Sequence, residues 1–117
     1  MNLAKFFSDA IYIVFEPNEI KTKKIKQFLD YIHGDINDED IQDILEFIYS
    51  GKYFAGSLYI AVFSSFQCLI HHGIWNEALA KAYHEYLVAM GWDYELEIVG
   101  KMLSEGDIES VREFCLD

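Results

Sequence analysis

From Tyr53 to Asn76 the chain carries no Asp, Glu, Lys or Arg. In a sequence that is 25% charged, this gap constrains the fold more than any other feature. Residues 53–70 read YFAGSLYIAVFSSFQCLI, and a helix of ~18 apolar residues is long enough to be a candidate for spanning a membrane. The residues themselves oppose that reading. Gly56, Ser57, Ser64, Ser65 and Gln67 dilute the run, His71 and His72 close it, and Lys52 is the one flanking cation. A spanning helix normally carries a cationic cluster on one side. The flanking segments are amphipathic and need an apolar surface to cover. The uncharged stretch, at about residues 54–72, is therefore expected to be the central helix of a bundle.

Apolar residues elsewhere recur at helical spacing between five glycines, Gly34, Gly51, Gly73, Gly91 and Gly106. Glycine just beyond an amphipathic run ends a helix because it tolerates the left-handed conformation. The first run is Leu3, Phe6, Phe7, Ala10, Ile11 and Val14, although residues 11–15 would also suit a strand. Ile25, Phe28, Leu29 and Ile32 follow, with Thr22 as N-cap, and then Ile41, Ile44, Leu45 and Ile48 after Asn37. Beyond the central segment, Asn76, Asp93 and Asp107 are expected to cap three more helices. The pattern predicts an all-α, single-domain bundle of six to seven short helices over residues 1–117. A weak echo links Gly34-Asp35-Ile36, Gly73-Ile74-Trp75 and Gly106-Asp107-Ile108, and the segment from Gly73 to Leu79 resembles the start of a tetratricopeptide-type unit. The rest of that signature is missing, and a recurrent need for caps and turns accounts for the echo equally well.

Catalytic signatures are not found. There is no G-x-S-x-G, G-x-x-x-x-G-K, G-x-G-x-x-G or H-E-x-x-H. His71 and His72 are adjacent, so on a helix they point about 100° apart, and His33 and His84 lie far off. Cys68 and Cys115 are isolated and read as small hydrophobes. Asp35, Asn37, Glu39, Ile41, Asp43 and Glu46 match the ligand spacing of a calcium-binding hand, but Asp40 stands where the loop needs glycine. No enzyme activity, metal or cofactor is expected. The amino-terminal residues lack the pattern of a secretory signal, because Asp9 interrupts the apolar run. With two unpaired thiols, this points to a cytoplasmic protein without a membrane anchor.

Charge carries the functional reading. The net charge is −11, which opposes direct binding to nucleic acid. Lys21, Lys23, Lys24 and Lys26 hold four of the nine cations, and from residue 27 onward seventeen acids face four bases. Two clusters stand out. Asp35, Asp38, Glu39, Asp40, Asp43 and Glu46 lie near Tyr49, and Trp92, Asp93, Tyr94, Glu95 and Glu97 interleave rings with acids. Negative potential speeds encounter with a cationic partner, and Tyr and Trp are the side chains that most often carry interface energy.

A small, acidic, single-domain chain without chemistry of its own resembles, in general character, the bacterial toxin-immunity proteins. That resemblance implies a basic protein partner, such as a nuclease toxin, whose cleft the carboxylates occupy in place of phosphates. A phage-type nucleic-acid mimic acting on a defence nuclease would use the same physics. A helical adaptor or dimerisation module is the contrasting expectation, and it leaves self-association open.

Overall fold

A computed structural model of the chain describes residues 23, 26–27, 29–32, 34–51 and 59–117. The expected first helix, its strand alternative at 11–15, the Thr22 cap and the part of the central helix before Tyr59 lie outside the described residues. All regular structure among the described residues is helical. Residues 29–32 are helical, followed by α1 (Asp38–Ser50), α2 (Tyr59–His71), α3 (Glu77–Met90), α4 (Asp93–Ser104) and α5 (Ile108–Leu116).

Residues 59–71 of the charge-free stretch form α2, the most deeply buried of the described helices. Ala61, Val62, Ser64, Ser65, Phe66, Cys68, Leu69 and Ile70 are all buried, whereas α4 buries only Val99. Three of the polar side chains of this helix find partners within the bundle. Ser65, fully buried, donates its hydroxyl to the Ala61 carbonyl at 2.7 Å, the one-turn bond that lets serine sit inside a helix. Gln67 donates to the Cys115 carbonyl at 3.2 Å and so ties α5 to α2. The Cys68 thiol lies 3.5 Å from the Ile32 carbonyl. No helix among the described residues is long and apolar enough to cross a membrane.

Three of the remaining helices lay one apolar face against this centre. α1 contributes Ile44, Phe47 and Ile48, α3 contributes Leu79, Tyr83, Tyr86 and Leu87, and α5 contributes Val111 and Cys115. α1 packs on α2 and α3, while α4 packs on α3 and α5. The Trp75 indole donates to the Ile108 carbonyl at 2.8 Å, fixing the turn before α3 against the start of α5.

The caps follow local chemistry. Asn37 accepts from the Asp40 amide, and the Asp40 carboxylate accepts from the Asn37 amide, closing a capping box at α1. Asn76 accepts from the Leu79 amide at 2.8 Å. Asp107 accepts from both the amide and the hydroxyl of Ser110, and these bonds to the carboxylate hold its pKa below the ordinary 3.8. At α4 the expectation is corrected: Trp92 is the cap residue, without a side-chain cap bond, and Asp93 is the first helical residue.

The glycine echo has a physical origin. At Gly73, Gly91 and Gly106 the glycine amide bonds three residues back, and the next amide bonds five residues back. This paired bond is the Schellman helix ending, which needs a left-handed residue, and all three glycines have φ between 70° and 75°. The middle turn interrupts the 33-residue interval, so the spacing marks helix ends. Gly34 turns the chain without a positive φ.

Two stability outcomes follow. Ala61 is 4% exposed, so Ala61→Asp places an unpaired carboxylate in the core and should cost about 3–5 kcal/mol by urea unfolding. Gly100 sits within α4, and a Cβ there would meet only His84 Nε2 at 3.5 Å, an ordinary contact. Gly100→Ala should therefore stabilise the fold by about 0.5–1 kcal/mol, seen as a raised Tm.

Candidate functional site

The first acidic cluster lies along α1 and the turn before it. Capping explains why acids begin this helix, since Asp38, Glu39 and Asp40 occupy its positive end. The helical repeat then separates their roles. Asp35, Asp38, Glu39 and Glu46 are exposed, with Gln42 and Tyr49 on the same outward side. Asp43 is half-buried. Asp40 is buried, closing the capping box and accepting a hydrogen bond from the Tyr31 hydroxyl. Partial burial, the bond to Asp40 and the charges of Asp43 and Glu39 raise the Tyr31 pKa to about 12. Asp40 is thus a structural acid, and the outward face consists of its neighbours. The calcium-hand spacing falls largely within α1, so its ligand positions run along a helix instead of around a loop.

The second cluster opens α4. Asp93 and Glu97 are exposed and Glu95 is half-buried, close enough to Tyr83 for its charge to disfavour the phenolate. Tyr94 is 73% exposed, the largest exposure among the big apolar side chains described. Trp92 has a different role. The Schellman turn bonds its amide to the Leu87 carbonyl at 3.3 Å, and the indole lies half-buried against two tyrosines. Its ring centroid is 5.9 Å from that of Tyr86 and 6.4 Å from that of Tyr59, at 80° and 81°. The structure keeps each acidic cluster together but places the two on helices that share α3 as a neighbour.

Those rings belong to a line of five. Tyr83 and Phe66 meet edge to face at 5.3 Å, and both contact Tyr86, which in turn contacts Trp92. Tyr86 donates its hydroxyl to the Tyr59 carbonyl at 3.0 Å, joining α3 to the start of α2. Tyr59, Ile60, Phe63, Tyr86 and Trp92 surround an open apolar cavity of about 110 Å³. The sequence reading names only Trp92 of these five. The other four fall within helical patterns that read as core, and the 27 residues between Tyr59 and Tyr86 conceal their proximity.

The titratable groups inside the bundle are quiet. Burial raises the Cys68 thiol to about 11 and the Cys115 thiol to about 12, so both are protonated at neutral pH and poor nucleophiles. His72 Nδ1 lies 2.9 Å from the Cys68 carbonyl. Among the described residues no three His, Cys, Asp or Glu side chains converge into a set that could hold a metal ion.

Buried phenols make stability fall in alkali. Burial raises Tyr83 and Tyr86 well above the ordinary 10.0. Their contribution is complete below pH 10, the unfolded value, and is lost as pH rises towards their folded values. A spectrophotometric titration should show a late phenolate phase that coincides with loss of helical circular dichroism. Complete ionisation of all tyrosines before any helix is lost would contradict their burial.

No protein-family model, curated protein or solved structure matches the chain.

Proposed function

We propose that this chain is a small acidic inhibitor that captures a cationic protein, in the manner of a cytoplasmic immunity protein occluding the basic cleft of a nuclease toxin. The observation that carries the reading is the exposure of its carboxylates. Asp38, Glu39 and Glu46 are exposed on the outward side of α1, with Tyr49 at its end, 49% exposed. Along this face Glu39 and Glu46 lie about 10.5 Å apart on the helix axis, with the exposed Gln42 between them. Such a face contributes chiefly to the rate of encounter and the choice of partner, while the exposed Tyr49 and Tyr94 supply the apolar area that charge lacks.

Catalysis is not part of the reading. The two buried thiols are protonated at neutral pH.

The test begins with retrieval of a partner from the native host on the immobilised chain, followed by its purification. A basic nuclease, inhibited at one-to-one stoichiometry, is the expected result. Association of the purified pair should slow steeply as ionic strength rises. The combined variant Asp38→Asn, Glu39→Gln, Glu46→Gln should reduce the association rate about tenfold at low salt and retain its helix content. Asp40 is left intact because it holds the α1 cap. A neutral or acidic partner, or association indifferent to both salt and the triple variant, would refute the proposal.

A further inference from the structure

The cavity beside α2 has a composition that a general apolar dent lacks. Four of its five lining residues are aromatic, Tyr59, Phe63, Tyr86 and Trp92, and no cation lines it. Tyr86 is fully buried and forms the floor, Phe63 and Trp92 are half-buried walls, and Tyr59 and Ile60 form the exposed rim. Trp92 stands nearly perpendicular to both Tyr59 and Tyr86. Rings meeting at right angles make a corner in which one cation lies within about 6 Å of more than one ring centroid. Aromatic faces are electron-rich, and Asp93 follows Trp92 directly at the surface.

The cavity has room for a small side-chain head, at about 110 Å³. The cavity is open to solvent, so a planar cationic head on a thin methylene stem enters it with the stem directed outward. Hydration narrows the occupant. The carbonyl of Tyr59 is already taken by the Tyr86 hydroxyl, so the walls offer little to replace the water around an ammonium. A guanidinium is more weakly hydrated and stacks on aromatic faces.

The geometry points to a seat for an arginine side chain of the protein partner, formed by Tyr59, Phe63, Tyr86 and Trp92. This deepens the capture reading and rests on it only for the source of the guanidinium. The acidic face of α1 would attract the partner, and this corner would anchor one of its side chains.

The wild-type chain tests it without any partner. Ethylguanidinium, ethylurea and ethylammonium are titrated separately at constant ionic strength, and the Trp92 indole N–H resonance is followed by NMR, with that of Trp75 as internal control. Ethylguanidinium should give a saturable shift confined to Trp92. The neutral, near-isosteric ethylurea and the strongly hydrated ethylammonium should each bind at least tenfold more weakly. Tyr59→Leu, at a residue 38% exposed, should reduce ethylguanidinium affinity by at least tenfold with the helical spectrum unchanged. Equal binding of ethylurea would show an apolar dent, equal or tighter binding of ethylammonium would exclude the arginine assignment, and no shift with any probe would show a closed corner; each overturns the inference. A retrieved partner whose association is salt-sensitive but indifferent to Tyr59→Leu overturns this seat and leaves the capture reading standing. Binding of ethylguanidinium with no cationic partner recovered does the reverse.

Discussion

The structure depends on putting a helix without charged residues at its centre. α2 can be surrounded because it carries no Asp, Glu, Lys or Arg. Ser65 spends its hydroxyl on its own backbone, and Gln67 reaches a carbonyl of α5. Once α2 is enclosed, the apolar faces of α1, α3 and α5 have a common surface, and most of the charges of the described residues are left outside. The surplus of surface acid and the apolar purity of the centre are two aspects of one partition. A charged side chain within the middle of α2 would break both, because a charge buried there without a partner is strongly destabilising.

The turns convert this partition into a particular surface. Gly91 ends α3 in a left-handed conformation, and the paired bond that follows sets the direction in which Trp92 leaves the helix. The indole meets Tyr86 from α3 and Tyr59 from α2, so a local rule about helix endings decides where three sequence-distant rings converge. At the start of α1, the capping box at Asn37 turns Asp40 inward and leaves Asp38 and Glu39 facing out. Adjacent acids in one cluster thereby acquire different roles from the geometry of a single helical turn.

Much of the fold was legible because it rests on short-range chemistry. Asn37, Asn76 and Asp107 cap helices since their short polar side chains reach amides two or three residues on, and Gly51, Gly73, Gly91 and Gly106 end helices because they reach positive φ. The uncharged run announced its own burial. The displaced cap at α4 was not legible, because Gly91 and Trp92 complete the preceding helix ending and leave Asp93 inside the next helix. Asp40 was a near miss: Asn37 followed three residues later by an acid is the capping-box pattern with Asp in place of Glu. The apolar corner was hidden for another reason. Tyr59, Phe63 and Tyr86 carry the same helical periodicity as true core residues, and only the angle between α2 and α3 distinguishes a ring that seals the interior from one that borders an opening.

The two cysteines extend the consequences of this packing to motion. Cys68 lies in α2 and Cys115 in α5, both buried and both shifted far towards the thiol form. A disulfide reagent in solution reaches neither sulfur until its helix swings away, so each labelling rate is a clock for one element. An isolated nine-residue helix has little order of its own in water, so α5 holds its shape through what it leans on. If Cys115 is modified at the same pace as Cys68, the bundle comes apart as one cooperative body; if it is modified sooner, the chain frays from α5 inward while its heart stays shut.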